Sequence, residues 1–333
     1  MSETPPGIFR EPFNFANSAA GIARFPYPFD RDSFMYSVNI RPHRPGPAGS
    51  ATEFPFDVDE HYRAELAERA YVLAGDPVRS AALPHMRLHQ WDALELIMTS
   101  LAAAYPDRFQ LDRRGDRWHW TNRVLGTAQS FGFGQDETLE APPLATIARQ
   151  MQGDFVLLDQ RDGDLYADAG VVTGPADWSL AFILGMSFKQ WHAPVPLADE
   201  LGVFDRALRY LLKLRHGEPV RRLNWTISAR PRLDTSPETY PEWRPLRALV
   251  DRENVGSWLH LRVELQSLFR LPRSNGILFS IRTYLVSFDD LATNPIWATR
   301  LARVLASLPA ELVAYKGLAL YLEPAIAWLN RFA

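Results

Sequence analysis

The chain has 333 residues, a formal net charge of -3 and 47% hydrophobic residues, enough for a substantial core in one elaborated domain or two ordinary ones. Zero cysteines exclude disulfides, thiolate-held zinc, a Cys nucleophile, a thiolate-ligated haem and any iron–sulfur cluster held by this chain alone. The near-neutral charge gives no basic field for nucleic acid, no segment is apolar enough to span a bilayer, and the acidic, Pro-bearing start lacks a signal-peptide pattern, so the expected compartment is the cytoplasm.

Residues 1–55 are rich in Pro, Phe and Gly, with Phe25-Pro26 and Phe54-Pro55 pairs that argue for a wrapping arm. Asp57-Val58-Asp59-Glu60 reads as helix N-terminal charge ahead of a pattern through Tyr62, Leu66 and Ala70, and a second amphipathic stretch follows between His89 and Tyr105. Together these predict a helical cap. Phe109 to Asp112 and Trp118 to Trp120 predict a small hairpin, and Pro142-Pro143 opens a further helix. From residue 154 the texture changes to a hairpin turning at Asp162-Gly163-Asp164. The stretch 179–214 is helical in period but interrupted by Pro194 and Pro196, and strands are predicted at 222–229, 259–271 and 277–288. Two strands, short helices and three antiparallel strands are the element order of a PAS domain. The predicted class is α+β: a PAS-like antiparallel sheet over 151–290, an arm and helical cap over 1–150, and a C-terminal helical extension over 291–333.

In the middle strand Leu259, Leu261, Val263, Leu265, Phe269 and Leu271 alternate with His260, Arg262, Glu264, Gln266 and Arg270. Arg222, Asn224 and Thr226 share a face of their strand, as do Ser280, Arg282 and Tyr284 of theirs. Such a polar face is either a solvated sheet surface or the wall of a cavity. His192, in Gln190-Trp191-His192-Ala193-Pro194-Val195-Pro196, stands at the helix edge before these strands, where a lone imidazole is either a satisfied core histidine or an axial ligand for iron. The other histidines, His85 and His89 among them, are not spaced as a metal cluster. Trp191, Trp225 and Trp258 read as packing around a planar ligand or a core.

Taken in order, His192-Ala193-Pro194-Val195-Pro196, Arg222-Leu223-Asn224-Trp225, Arg262-Val263-Glu264-Leu265-Gln266, Arg270-Leu271-Pro272-Arg273-Ser274, Ile281-Arg282-Thr283-Tyr284 and Tyr315-Lys316-Gly317 resemble the alpha subunit of the haem-dependent oxidative N-demethylase family, over 36–316. The chain departs from that pattern with Leu265 between Glu264 and Gln266, with Pro175-Ala176-Asp177-Trp178, and with Leu184-Gly185 before the histidine; these changes bear on substrate and partner contacts. The resemblance implies a haem b ligated by His192, with Arg222, Asn224, Trp225, Arg262 and Arg273 as cofactor-binding residues. It implies Glu264, Arg282 and Tyr284 as catalytic residues, with Glu264 either holding a cationic amine or bridging to a neighbouring Arg. The implied activity is oxygen-dependent N-demethylation of a small secondary amine such as dimethylamine, with dioxygen as co-substrate. Lacking Cys and a dinucleotide fingerprint, the chain would draw electrons from a separate NADPH-linked reductase carrying flavin and an iron–sulfur cluster. The alternatives are a haem PAS sensor of gas or redox state and a structural subunit without haem.

Overall fold

A computed structural model describes residues 16–197 and 200–332; the first fifteen residues of the predicted arm, residues 198–199 and Ala333 lie outside it. The strands in chain order are β1 (Arg41–Pro42), β2 (Ser80–Ala82), β3 (Phe109–Arg114), β4 (Arg117–Asn122), β5 (Thr127–Gly132), β6 (Asp154–Arg161), β7 (Asp164–Val171), β8 (Val220–Ala229), β9 (Leu259–Arg270) and β10 (Ile277–Ser287). All pairings between these strands are antiparallel, and one sheet runs β1-β8-β9-β10-β6-β7-β2. The β6–β7 turn is tight because Asp162 and Gly163 take φ of 52° and 73°, the left-handed pair that matches strand twist in a short hairpin. Two strands, short helices and three strands therefore occur in the order read from the sequence. A second sheet, β3-β4-β5, contains the expected hairpin plus β5, whose polar Thr-Ala-Gln-Ser start gives little strand signal.

Both faces of the large sheet are covered. One face carries the helices Leu180–Ile183, Phe188–His192 and Val203–Leu211 over a core of Val156, Leu158, Phe204, Leu208, Leu268 and Ile277. The other face packs against the cap helices Tyr62–Gly75 and Arg87–Ala104 at one end and the C-terminal helices Pro295–Ala306 and Leu322–Leu329 at the other. Every residue of β9 is buried, so the solvated-sheet reading of its alternation does not hold. The arm wraps the C-terminal end: Tyr27 stacks on Trp297 at 4.9 Å and Phe29 meets Trp225 edge-on. Beyond the two residues paired with β1, the open edge of β8 is closed from the C-terminal region, where Lys316 Nζ donates to the Trp225 carbonyl at 2.7 Å and the Tyr321 hydroxyl to that of Ile227 at 2.8 Å. Exposed edge carbonyls are thereby satisfied within the chain. Among the described residues, no helix is long and apolar enough to cross a membrane.

Candidate functional site

His192 is the last residue of a five-residue helix held open for it by local chemistry. Ser187 and Gln190 form a capping box at the start, and Pro194 prevents continuation at the end. The imidazole is packed between the rings of Phe188 and Phe204, with centroids 4.3 and 4.2 Å away. Its Nδ1–H donates to the Phe188 carbonyl at 2.7 Å, which fixes the tautomer and leaves the Nε2 lone pair as acceptor. Trp191 Nε1–H donates to that Nε2 at 3.2 Å. Burial pushes the imidazole pKa down to about 3, with Arg222 acting in the same direction against the carbonyl bond, so the ring is neutral at ordinary pH. The Tyr36 hydroxyl ties the following segment by donating to the Pro196 carbonyl at 3.0 Å.

Strand register sorts the expected site residues, because directly opposed residues of antiparallel strands share a face. Arg222 opposes Gln266, Asn224 opposes Glu264 and Thr226 opposes Arg262, while Glu264 opposes Thr283 of β10. These residues lie on the face that carries the Phe188–His192 helix. Glu264 is buried and its oxygens are divided: Oε1 accepts from Arg262, and Oε2 accepts from Asn224 at 3.3 Å and Gln266 at 3.0 Å. Arg222 is electrostatically coupled to both His192 and Glu264, and its buried Nε has no hydrogen-bond partner among the described residues. A guanidinium with a free Nε among the described residues, on the same sheet face as a neutral, oriented imidazole, suits a planar metal chelate bearing carboxylates, since the imidazole offers a ligand and the guanidinium a counter-charge.

Five of the expected site residues have other surroundings than the sequence suggests. Arg282 opposes Leu265, so Arg282 and Tyr284 lie on the other face, away from Glu264. There Arg282 bonds Glu65 at 2.9 and 3.0 Å and Asp59 at 2.6 Å, and the Tyr284 hydroxyl bonds Asp57 at 2.7 Å. The Trp225 ring also belongs to that second face, in the C-terminal core. Arg262 is fully buried, and its donors serve the carbonyls of Gly174, Arg232 and Leu233, the Thr283 hydroxyl and Glu264, leaving it a structural tie rather than a free carboxylate partner. Arg273 in the β9–β10 turn is engaged by Asp92 and Glu95 of a cap helix and lies over Phe133.

Two groupings escaped sequence reading. Lys316 reaches the β8 edge from the C-terminal segment and donates to the Trp225 carbonyl, and burial, its largest influence, together with Arg222 lowers its pKa to about 8 against the pull of Glu264 and Asp177. The Tyr315-Lys316-Gly317 motif marked the residue without giving it a place. Second, His85 Nε2 lies 2.9 Å from Asp168 and 3.9 Å from Asp159, close enough to share a cation, although nothing in the spacing of the histidines shows it. Arg161 already donates into both carboxylates there.

A model of the family described as haem-dependent oxidative N-demethylase, alpha subunit-like, matches residues 48–326, and the chain belongs to that family.

Proposed function

We propose that this chain catalyses oxygen-dependent N-demethylation of a small secondary amine such as dimethylamine, using a b-type haem held at His192 Nε2 and electrons from a separate NADPH-linked flavin and iron–sulfur reductase. The carrying observation is His192 itself: neutral, oriented through Nδ1 by the Phe188 carbonyl, and on the same sheet face as Arg222 and Glu264. The family's haem dependence supplies the prior. Haem supplies the activation of dioxygen when bound. The balance is one N-methylamine, one dioxygen, two electrons and two protons giving a carbinolamine and water, and the carbinolamine then collapses to primary amine and formaldehyde.

The roles of the chain's own groups follow from which donors are spare. His192 offers Nε2 once the Trp191 indole moves aside. Arg222 offers its unpaired Nε–H to a propionate. Glu264 Oε2 is held only by the neutral amides of Asn224 and Gln266, whereas Oε1 is held by the Arg262 guanidinium, so Oε2 is the oxygen an arriving ammonium displaces donors from. Arg262 keeps the carboxylate aimed while that exchange occurs.

Replacing His192 by Ala removes the axial nitrogen. The expected result is loss of stoichiometric haem and of the Soret band with the fold retained by circular dichroism. A wild-type Soret spectrum in that variant overturns the assignment.

A further inference from the structure

The helical cap meets the large sheet on the face opposite the Phe188–His192 helix, and its histidines His85 and His89 stand there against carboxylates of β6 and β7. We propose that His85, His89, Asp159 and Asp168 form a binding site for a divalent first-row transition metal, zinc foremost, that ties the cap to the sheet. The site is independent of the haem reading, which uses none of these four residues.

Three observations carry it. The first is the donor set and its spacing. Among the described residues, His85, Asp159 and Asp168 are the one group of three ligand-type side chains whose donor atoms all lie within 4.8 Å of one another. His85 Nε2 lies 2.9 Å from Asp168 Oδ2 and 3.9 Å from Asp159 Oδ2, and His89 Nε2 lies 3.1 Å from Oδ1 of the same Asp159. With metal–ligand bonds of about 2.0–2.2 Å, donors around one ion stand from about 2.8 Å apart when adjacent to about 4.4 Å when opposed, so these spacings suit one ion gripped through both oxygens of Asp159. Two imidazoles with two carboxylates favour zinc and its neighbours over magnesium or calcium, which take oxygen donors.

The second observation is how Asp168 is delivered. Leu158 pairs with Ala167 and Leu157 with Ala169, which leaves Asp168 as the extra residue of a bulge in β7. A bulge interrupts regular alternation and re-aims a side chain, and here it seats a fully buried carboxylate beside Asp159, which shares the cap face with Leu157. Two carboxylates set side by side need a cation. The third is His89. Its side chain is only 8% exposed, neither ring nitrogen makes a hydrogen bond among the described residues, and Gly276 packs so closely that a Cβ there would collide with Cδ2 and Nε2. A buried imidazole without a hydrogen bond, its Nε2 aimed at the cluster, suits a ligand nitrogen.

The rival cation is internal. Arg161 donates to both carboxylates, but its side chain is 35% exposed and its guanidinium lies 3.8 Å from the Tyr166 ring, so solvent and that ring remain as partners when it is displaced. One guanidinium offsets one of the two carboxylate charges, whereas a dication offsets both. His85, with 48% of its side chain exposed, leaves a path for the ion to enter.

The untagged full-length chain, stripped with EDTA in haem-loaded and haem-free forms, is titrated with zinc chloride by calorimetry and in competition with a chromophoric chelator. One zinc per chain is expected in both forms, with a raised melting temperature because the ion binds the folded state. His85→Ala, at a half-exposed side chain, should weaken binding at least about tenfold while circular dichroism shows the fold retained. Arg161→Ala removes the internal rival and should tighten binding about fivefold. X-ray absorption at the zinc edge should count two imidazole nitrogens in the wild type and one in His85→Ala. Absence of stoichiometric zinc in both the wild type and Arg161→Ala overturns the proposal, as does zinc binding indifferent to His85→Ala, which puts the ion elsewhere. Magnesium binding as tight as zinc overturns the metal class, and a single nitrogen in the wild type overturns the four-residue ligand set.

Discussion

Glu264→Gln tests how the buried charges of the site divide their work. Gln keeps the shape but offers one acceptor and one donor where the carboxylate offered two acceptors. If its oxygen faces Arg262, its amide meets the donors of Asn224 and Gln266, and those two bonds, at 3.3 and 3.0 Å, are lost. Arg262, with 0% exposure, then has no carboxylate within ion-pair distance among the described residues, although its bonds to the carbonyls of Gly174 and Leu233 and to Thr283 remain. Removing one member of a buried pair costs about 3–5 kcal/mol, and the surviving carbonyl bonds favour the lower end, about 3 kcal/mol. Loss of the charge-assisted contact to an ammonium should separately weaken amine binding by about 1.5–3 kcal/mol, or about ten- to over a hundredfold. Urea unfolding of the haem-loaded protein reads the first effect, and the Soret shift on titrating dimethylamine reads the second in the folded fraction. A stability change below about 1 kcal/mol would show that the carbonyls alone hold Arg262 and would refute the ion-pair argument. Unchanged amine affinity would remove Glu264 from substrate binding.

Arg282→Met leaves Asp59 and Glu65 buried without their shared guanidinium, so unfolding free energy should fall by at least about 3 kcal/mol, while haem content per folded molecule stays the same because the pair lies on the opposite face; a selective loss of haem would contradict that placement. Trp191→Phe removes the indole N–H that occupies His192 Nε2, a bond of about 1 kcal/mol, so haem should bind about fivefold more tightly in reconstitution titrations, and equal or weaker binding would count against the competition. Burial holds His192 at about 3 and His260 at about 4, below the unfolded value near 6.5, so each group's stabilising effect is complete above about pH 6.5 and is lost as the pH falls toward its folded value. The expected slope is at most about 1.4 kcal/mol per pH unit per group, and His260→Gln should remove one such contribution between pH 6 and 4.5 in urea unfolding of the haem-free chain; an unchanged slope would refute it.

How far the sequence exposes this site depends on the range over which each interaction acts. Periodicity within one strand is local, so the segments of β8, β9 and β10 and the break after His192 are legible from Pro, Gly and alternating side chains. Which polar rows meet across strands is a matter of register, and alternation carries no register. Arg282 therefore looks equivalent to Arg262 in sequence, while the pairing of Glu264 with Thr283 turns it to the opposite face. Its anions are no more visible: Asp59 reads as charge at the start of a helix and Glu65 carries no signal of its own, although both accept from a guanidinium more than two hundred residues away. Lys316 is hidden for the same reason, since only closure of the β8 edge by the C-terminal segment brings its ammonium against Trp225. The half of the site proposed to ligate haem is thus local and readable, and the half that sets charge is tertiary. Substitutions in the second half should accordingly alter haem affinity and proton balance before they alter the identity of the ligand.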